Sequence, residues 1–288
     1  PDDIDIALVT IPGEAVPEIL EKCGRKNAKG AVIISGGFGE LGSRGKQREK
    51  EISDIAKKYN MRIIGPNTSG LISLYNKLNL AGIPDVPKGN IALLSQSGNV
   101  ALHIITEAGL RSNVGFSHYL GVGNEADMRF HEYLKYFEED PLTKAIVMYV
   151  EGMRDGRDFL QQAYRTTRKK PIVLLKSGRS ATGMRSAGSH TGSLAGISEV
   201  SRTAFKRAGI ITIDNLDELF PVTETLSELP PINKNRVAIL ADGGGHATVA
   251  SDLLTDYGVD IPLLSDRTQA RLAEILPSNA SLKNPVDV

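Results

Sequence analysis

Twenty consecutive positions, Ser177 to Gly196, are almost entirely Gly, Ser, Thr, Ala and Arg, and among them stands one imidazole, His190. The segment lies between a strand pattern at Pro171–Leu175 and a helix pattern that starts near Ser198. A loop of that length is unusual in a compact domain unless it has a task. An imidazole carried on small residues can serve as nucleophile, or as acid and base, toward a substrate that several sites must reach. Read without a task, the same segment is a flexible loop with an incidental histidine. The other histidines have ordinary settings: His103 on an apolar helix face, His118 at a strand end and His131 in a helix. His246 follows three glycines and has a modest claim to face a ligand.

A second kind of chemistry needs no reactive side chain. Turns between a strand and a helix can present backbone N–H groups to an anion at the helix N-terminus. Ser95-Gln96-Ser97-Gly98, between the apolar run Asn90–Leu94 and the helix pattern Val100–Ala108, offers two hydroxyls and a glycine at such a turn. Ser and Asn are also ordinary helix caps, so the same residues fit a tight capped turn. Ala241-Asp242-Gly243-Gly244-Gly245-His246 would admit either a ligand or a close helix–sheet approach, and Ser35-Gly36-Gly37-Phe38-Gly39 closes another strand. None is a P-loop, and none is a dinucleotide fingerprint opening directly into a helix.

These turns are positioned by a repeated unit: an apolar run of about five residues, a Gly/Ser turn, then an amphipathic helix. Strands are expected at Ile4–Val9, Gly30–Ser35, Met61–Ile64, Asn90–Leu94, Asn113–His118, Ala145–Val150, Pro171–Leu175, Ile210–Ile213 and Arg236–Ala241. Helices are expected between most of them, including Gln47–Lys58, Met128–Phe137, Gly156–Thr167 and Leu216–Leu226. Strands alternating with helices mean βαβ crossovers. Continuous apolar strands such as Ala145–Val150 suit parallel sheets covered on both faces. The fold class is therefore α/β, in consecutive Rossmann-like or flavodoxin-like parallel-sheet units. Pro/Gly-rich seams at Ile83–Gly89 and Leu229–Asn235 divide the chain into 1–88, 89–229 and 230–288. The first and last units are too short for complete doubly wound domains and are expected to be truncated.

Composition narrows the field. With 41% hydrophobic residues the chain can bury a core, and 34 basic against 34 acidic residues leave no field to draw it to nucleic acid or an anionic membrane. Cys23 is the sole cysteine, so an internal disulfide and a cysteine-rich metal site are both excluded. A free thiol and the lack of a long apolar span fit a cytoplasmic protein.

The wording Ser189-His190-Thr191-Gly192-Ser193-Leu194-Ala195-Gly196 resembles the phosphohistidine loop of the succinyl-CoA synthetase superfamily, in its ADP-forming acetyl-CoA synthetase branch. Four further segments agree in order. Gly65-Pro66-Asn67-Thr68-Ser69-Gly70 is similar to the turn on the CoA-binding domain, and Ser95–Gly98 to the start of the phosphate-binding helix. Gly121-Val122-Gly123-Asn124-Glu125-Ala126-Asp127 is similar to the central glycine loop. Ile146–Gly152 is similar to the strand ending in the active histidine's glutamate partner. The resemblance spans essentially the whole chain.

The resemblance implies an α subunit or module of an acyl-CoA synthetase that interconverts acyl-CoA, ADP and phosphate with acid, CoA and ATP. His190 would carry the phosphoryl group and Glu151 would orient its ring. Ser95, Gln96, Ser97 and Gly98 would bind phosphate, with Gly192 and Ser193 doing so from the other side. Ile11, Pro12, Ser35, Gly36 and Asn67 would line the site of coenzyme A, a substrate here. The family's first strand and its Gly-rich CoA loop would precede Pro1. ATP/ADP and Mg²⁺ would bind an ATP-grasp β subunit or fused domain, and the whole is expected to be an oligomer acting on a small acyl substrate. A related non-catalytic regulatory domain of protein acetyltransferases is the main rival, and His190 with Glu151 speaks against it. A dehydrogenase domain is the second rival, disfavoured by the missing fingerprint.

Overall fold

The computed structural model describes residues 3–111, 114–178, 180, 182–183, 198–230 and 234–288. Its packing separates two units, Pro1–Leu229 and Pro230–Val288. The first begins with three parallel strands in the order β1 (Ile6–Val9), β2 (Gly30–Ile33), β3 (Arg62–Ile64). The helices α1 (Val16–Arg25) and α2 (Ser43–Lys58) connect them. Pro17 sits in the first turn of α1, where a missing N–H costs nothing. Val16, Leu20, Ile33, Ile52 and Ile63 interlock into one core cluster with Phe38. Gly45 is required in α2, because a Cβ there would lie 1.6 Å from the Phe38 carbonyl oxygen.

The larger sheet has seven strands: β4 (Leu71–Ser73), β5 (Leu78–Asn79), β6 (Lys88–Ser95), β7 (Phe116–Gly121), β8 (Ala145–Val150), β9 (Ile172–Lys176) and β10 (Ile211–Ile213). Their order is β10-β9-β8-β6-β7-β4-β5. All pairs are parallel except those made by β4, which runs antiparallel to β5 and β7. The hairpin β4–β5 had no expected counterpart, since its strands are three and two residues long. It lies upstream of the Ile83–Gly89 seam yet joins the large sheet. The helices are α3 (Gly98–Gly109), α4 (Phe130–Glu139), α5 (Gly156–Thr166), α6 (Ser198–Arg207) and α7 (Leu219–Glu228).

Burial on both faces explains the unbroken apolar strands. Ala92 and Leu94 of β6 belong to one core with Phe130 and Leu134 of α4 and Phe159 of α5. Ile91 and Leu93 of the same strand join Ile104 and Ile105 of α3 and Phe220 of α7 in another. So α3, which follows β6, and α5, which follows β8, cover opposite faces, while β6 and β8 are neighbours. Chain paths that diverge from adjacent parallel strands leave a crevice at their carboxyl ends, the usual place for a ligand in such sheets.

The second unit contains β11 (Leu240–Ala241), α8 (Gly244–Asp256), α9 (Asp266–Ala273) and β12 (Val286–Asp287), with β11 parallel to β12. The strand expected over Arg236–Ala241 shortens to its last two residues; upstream, Arg236 makes only an isolated bridge with Asp260. Gly244 opens α8 with a bare α-carbon facing Asp287, whose Oδ2 would be 3.0 Å from any Cβ. That close approach accounts for a glycine there without a ligand. His246 lies within α8 and is exposed.

Two other histidines depart from expectation. His103, placed on an apolar face, is 63% exposed beside Glu107, because α3 turns that side outward. His118 lies inside β7 and is buried 3.6 Å from Asp140; burial pushes its pKa down, and the Asp140 charge opposes this.

Candidate functional site

The crevice between β6 and β8 is closed by the turn Ser95-Gln96-Ser97-Gly98. Ser95 is wholly buried, and its Oγ donates to the Ser97 carbonyl at 2.7 Å while accepting from the Ser97 N–H at 3.1 Å. Ser97 caps α3, its hydroxyl accepting from Val100 N–H at 3.4 Å. Both hydroxyls therefore shape the turn, which aims the first N–H groups of α3 outward from the sheet's carboxyl edge. Gly98 must be bare because a Cβ would come within 2.9 Å of Ser69 Cβ.

Gln96 joins this turn to Glu151. Its main-chain N–H extends the ladder to the Tyr149 carbonyl, and its Oε1 accepts from the N–H of Glu151 at 2.6 Å and of Gly152 at 3.0 Å. Glu151 is buried, one residue past the end of β8. Its carbonyl accepts from Lys176 Nζ at 2.7 Å, and Lys176 also bonds the Ser177 carbonyl. Burial lowers the Lys176 pKa, and the Glu151 charge works the other way. Tyr149, near Glu151 and Ser177, has its hydroxyl pushed up chiefly by burial. Lys176 ends β9, opposite Val150 of β8, so the chain sets out toward residue 190 from the strand next to Glu151. His190, Gly192 and Ser193 lie outside the described residues.

A second group gathers at the carboxyl ends of β1, β2 and β3. Ser35 Oγ donates to the Ile11 carbonyl, and Asn67 N–H to the Ser35 carbonyl at 2.9 Å. Pro12 is extended and leads into a 3₁₀ turn whose first residue, Gly13, would carry a Cβ only 2.4 Å from the Gly36 oxygen. Gly36 itself lies against Glu40 and Asn67. Ile11, Pro12, Ser35, Gly36 and Asn67, far apart in sequence, thus form one patch. Burial would raise the Glu40 carboxyl beside them, but hydrogen bonds from Asn124 and the N–H groups of Phe38 and Gly37 outweigh it and hold the pKa below the ordinary value.

The two groups are bridged by polar residues to which the sequence assigned no role, Asn124 and Glu125 of the central glycine loop among them. Asn124 donates to Glu40 at 2.6 Å and to Glu49 at 3.2 Å, and accepts from Asn67 at 3.3 Å. Glu49 of α2 also accepts from the Gly39 N–H at 3.1 Å and pairs with Arg154 at 2.6 Å. Arg154 follows Glu151 by three residues. Glu125, 1% exposed, accepts from Gln96 Nε2 at 3.0 Å and from the Phe130 N–H at 3.4 Å. Burial drives its pKa up to about 7, against the pull of the Phe130 N–H and of Arg154 and Arg129. A cleft of about 660 Å³ opens over these residues, with Gln96, Glu125 and Asn67 in its wall, and the cations Lys46, Lys50, Lys57, Arg129 and Arg154 outnumber the acidic Glu49, Asp54 and Glu125 around it. Such a lining suits an anionic ligand carrying a few directional polar groups. Among the described residues, no cluster of three or more His, Cys, Asp or Glu could hold a metal ion, and no helix is long and apolar enough to cross a membrane.

Residues 88–226 match the succinyl-CoA ligase like flavodoxin domain and residues 1–73 a CoA binding domain. The chain is 40% identical over its whole length to the α subunit of ADP-forming acetate–CoA ligase II of Pyrococcus furiosus, covering 63% of that protein. It is 42% identical to the ADP-forming acetate–CoA ligase of Methanocaldococcus jannaschii, covering 40% of it. Among solved structures, acetyl-coenzyme A synthetase 1 of Ca. Korarchaeum cryptofilum in complex with phosphate and ADP superposes with a TM-score of 0.92 at 34% identity, over all of this chain and 62% of that one. The chain therefore spans less than two thirds of the length of these relatives.

Proposed function

The chain belongs to the ADP-forming acyl-CoA synthetase family, and from that premise we propose that it supplies the CoA-binding and phosphoryl-accepting half of such an enzyme. Phosphate attacks the acyl carbon of an acyl-CoA, and the thiolate of CoA leaves, giving an acyl phosphate. A ring nitrogen of His190 then attacks phosphorus, and the carboxylate departs. Phosphohistidine finally donates to ADP on an ATP-grasp partner, where Mg²⁺ accompanies the nucleotide. All steps reverse.

In this scheme the patch of Ile11, Pro12, Ser35, Gly36 and Asn67 binds CoA through backbone and amide contacts. The N-terminus of α3 and the Ser95–Gly98 turn stabilise the phosphoryl charge. The Glu151 carboxylate accepts a hydrogen bond from one ring nitrogen of His190, fixing the tautomer and stabilising the cationic ring formed on phosphorylation. Gly192 and Ser193 contribute donors from the histidine's own segment. The observation that carries the reading is the Gln96 bridge: one side chain in the anion-turn candidate grips the N–H of Glu151, at the point where β6 and β8 diverge.

The test is incubation of the chain with its ATP-grasp partner, Mg²⁺ and γ-labelled ATP. The expected result is an acid-labile, base-stable label on this chain that disappears in His190→Ala. A parent protein that acquires no label, or a variant that keeps it, refutes the assignment.

A further inference from the structure

Glu125 has no part in the scheme above, yet it is a carboxylate almost wholly withdrawn from water, placed against Gln96, the side chain that ties the end of β6 to the segment just beyond β8. Its backbone is left-handed, with φ at 54°. A non-glycine residue held in that region and buried with a charge is costly to keep without a task.

The Gln96 amide has three neighbours. On one side stand two donors, the N–H groups of Glu151 and Gly152; on the other stands Glu125 Oε1. Only one orientation suits all three: oxygen toward the peptides, nitrogen toward the carboxylate. The opposite orientation sets donor against donor and lone pair against charge. Both oxygens of Glu125 already face donors, Gln96 Nε2 and the Phe130 N–H. A proton on Oε1 would therefore collide with the Gln96 NH₂ and favour a flipped amide, which would release the peptides.

We propose that ionised Glu125 is the positioning residue that locks the Gln96 amide, and through it the Glu151–Gly152 peptide, in working orientation. The inference rests on the phosphohistidine reading for the role of Glu151, but not for the lock itself. Charges facing Glu125 are Arg154 from the segment after β8, which also donates to the Glu125 carbonyl at 3.5 Å, and Arg129 at the start of α4. Glu49 of α2 partly neutralises Arg154. The buried phenol of Tyr133 on α4 is pushed further up by burial and next by the Glu125 charge. Burial outweighs the Phe130 N–H and these cations, so the carboxyl titrates at about 7, and the lock opens on the acid side of neutrality.

The amides report it directly. In ¹⁵N-labelled chain, the Gln96 side-chain signals and the backbone signals of Glu151 and Gly152 are expected to move together, with one midpoint near Glu125's, and to stay still in Glu125→Gln. Signals of 151 and 152 in the parent that ignore the range from pH 6 to 8 overturn the inference. In the chain joined to its ATP-grasp partner, histidine labelling is expected to drop about tenfold from pH 8 to pH 6, since one pH unit below the midpoint leaves about a tenth ionised. Glu125→Gln, which keeps an oxygen for Gln96, is expected to lose that pH dependence at a cost of about threefold at pH 8. An unchanged acid limb in the variant overturns the inference. So does a variant that melts like the parent but takes no label at pH 8. If the parent itself takes no label, the phosphohistidine reading fails, and the amide titration alone decides the role of Glu125.

Discussion

Glu151 and Glu125 are both buried carboxylates, but only one was legible in the sequence. Glu151 stands at the end of a conspicuous apolar strand, and the resemblance of that segment to a known family is what singled it out. Glu125 sits in a Gly-Asn-Glu loop, and its importance comes from burial and from Gln96, 29 residues away, neither of which a linear pattern records. For Glu151→Gln, the expected outcome is a fall of at least about a hundredfold in histidine labelling, measured by single-turnover quench, because a neutral amide cannot stabilise a cationic ring as a carboxylate does. Glu125 makes a thermodynamic prediction as well. Folded, it keeps its proton up to about 7; unfolded, it releases it near 4.5. Between those values the native state holds the extra proton, so stability falls as pH rises, by at most about 1.4 kcal/mol per pH unit, and stays lost above. Glu125→Gln removes this penalty. Its melting temperature relative to the parent, followed by calorimetry, is expected to climb between pH 5 and pH 7.5 and then level off.

Long periodic runs in the sequence coincide with the elements of the fold. Ala145–Val150 forms the expected strand, and Gly156–Thr166 falls one residue short of the expected helix. The hairpin β4–β5 and helix α9 had no expected counterpart. Two or three paired residues carry no period, and the α9 sequence is mostly polar with no buried residue. The caps were ambiguous in principle, since Ser97 suited both an anion site and a capped turn, and its hydroxyl does cap α3. Ser97→Ala is expected to lower stability by about 1 kcal/mol, read from urea midpoints. Gly45→Ala is expected to cost more, upward of about 2 kcal/mol, because the new methyl would run into the Phe38 carbonyl and push α2 off its sheet. A Gly45→Ala chain that melts with the parent would contradict that packing.

At the scale of the molecule, alternation of strand and helix specified parallel sheets, but it could not show that residues 71–79 pair with the large sheet rather than the small one. Register and strand order are decided by contacts between distant segments. The three apolar cores found among the described residues lie within Pro1–Leu229. A chain ending at Leu229 is therefore expected to unfold cooperatively, with a calorimetric enthalpy matching the van't Hoff value. Glu49 decides how the first unit can work. One carboxylate is shared by Gly39, just beyond β2, by Asn124, beyond β7, and by Arg154, beyond β8. Prising the group at Ser35 and Asn67 away from the group at Gln96 and Glu151 would strand that carboxylate in a nearly dry setting. The described part of the unit therefore behaves as an anvil rather than a pair of jaws, and whatever it binds must come to a fixed surface.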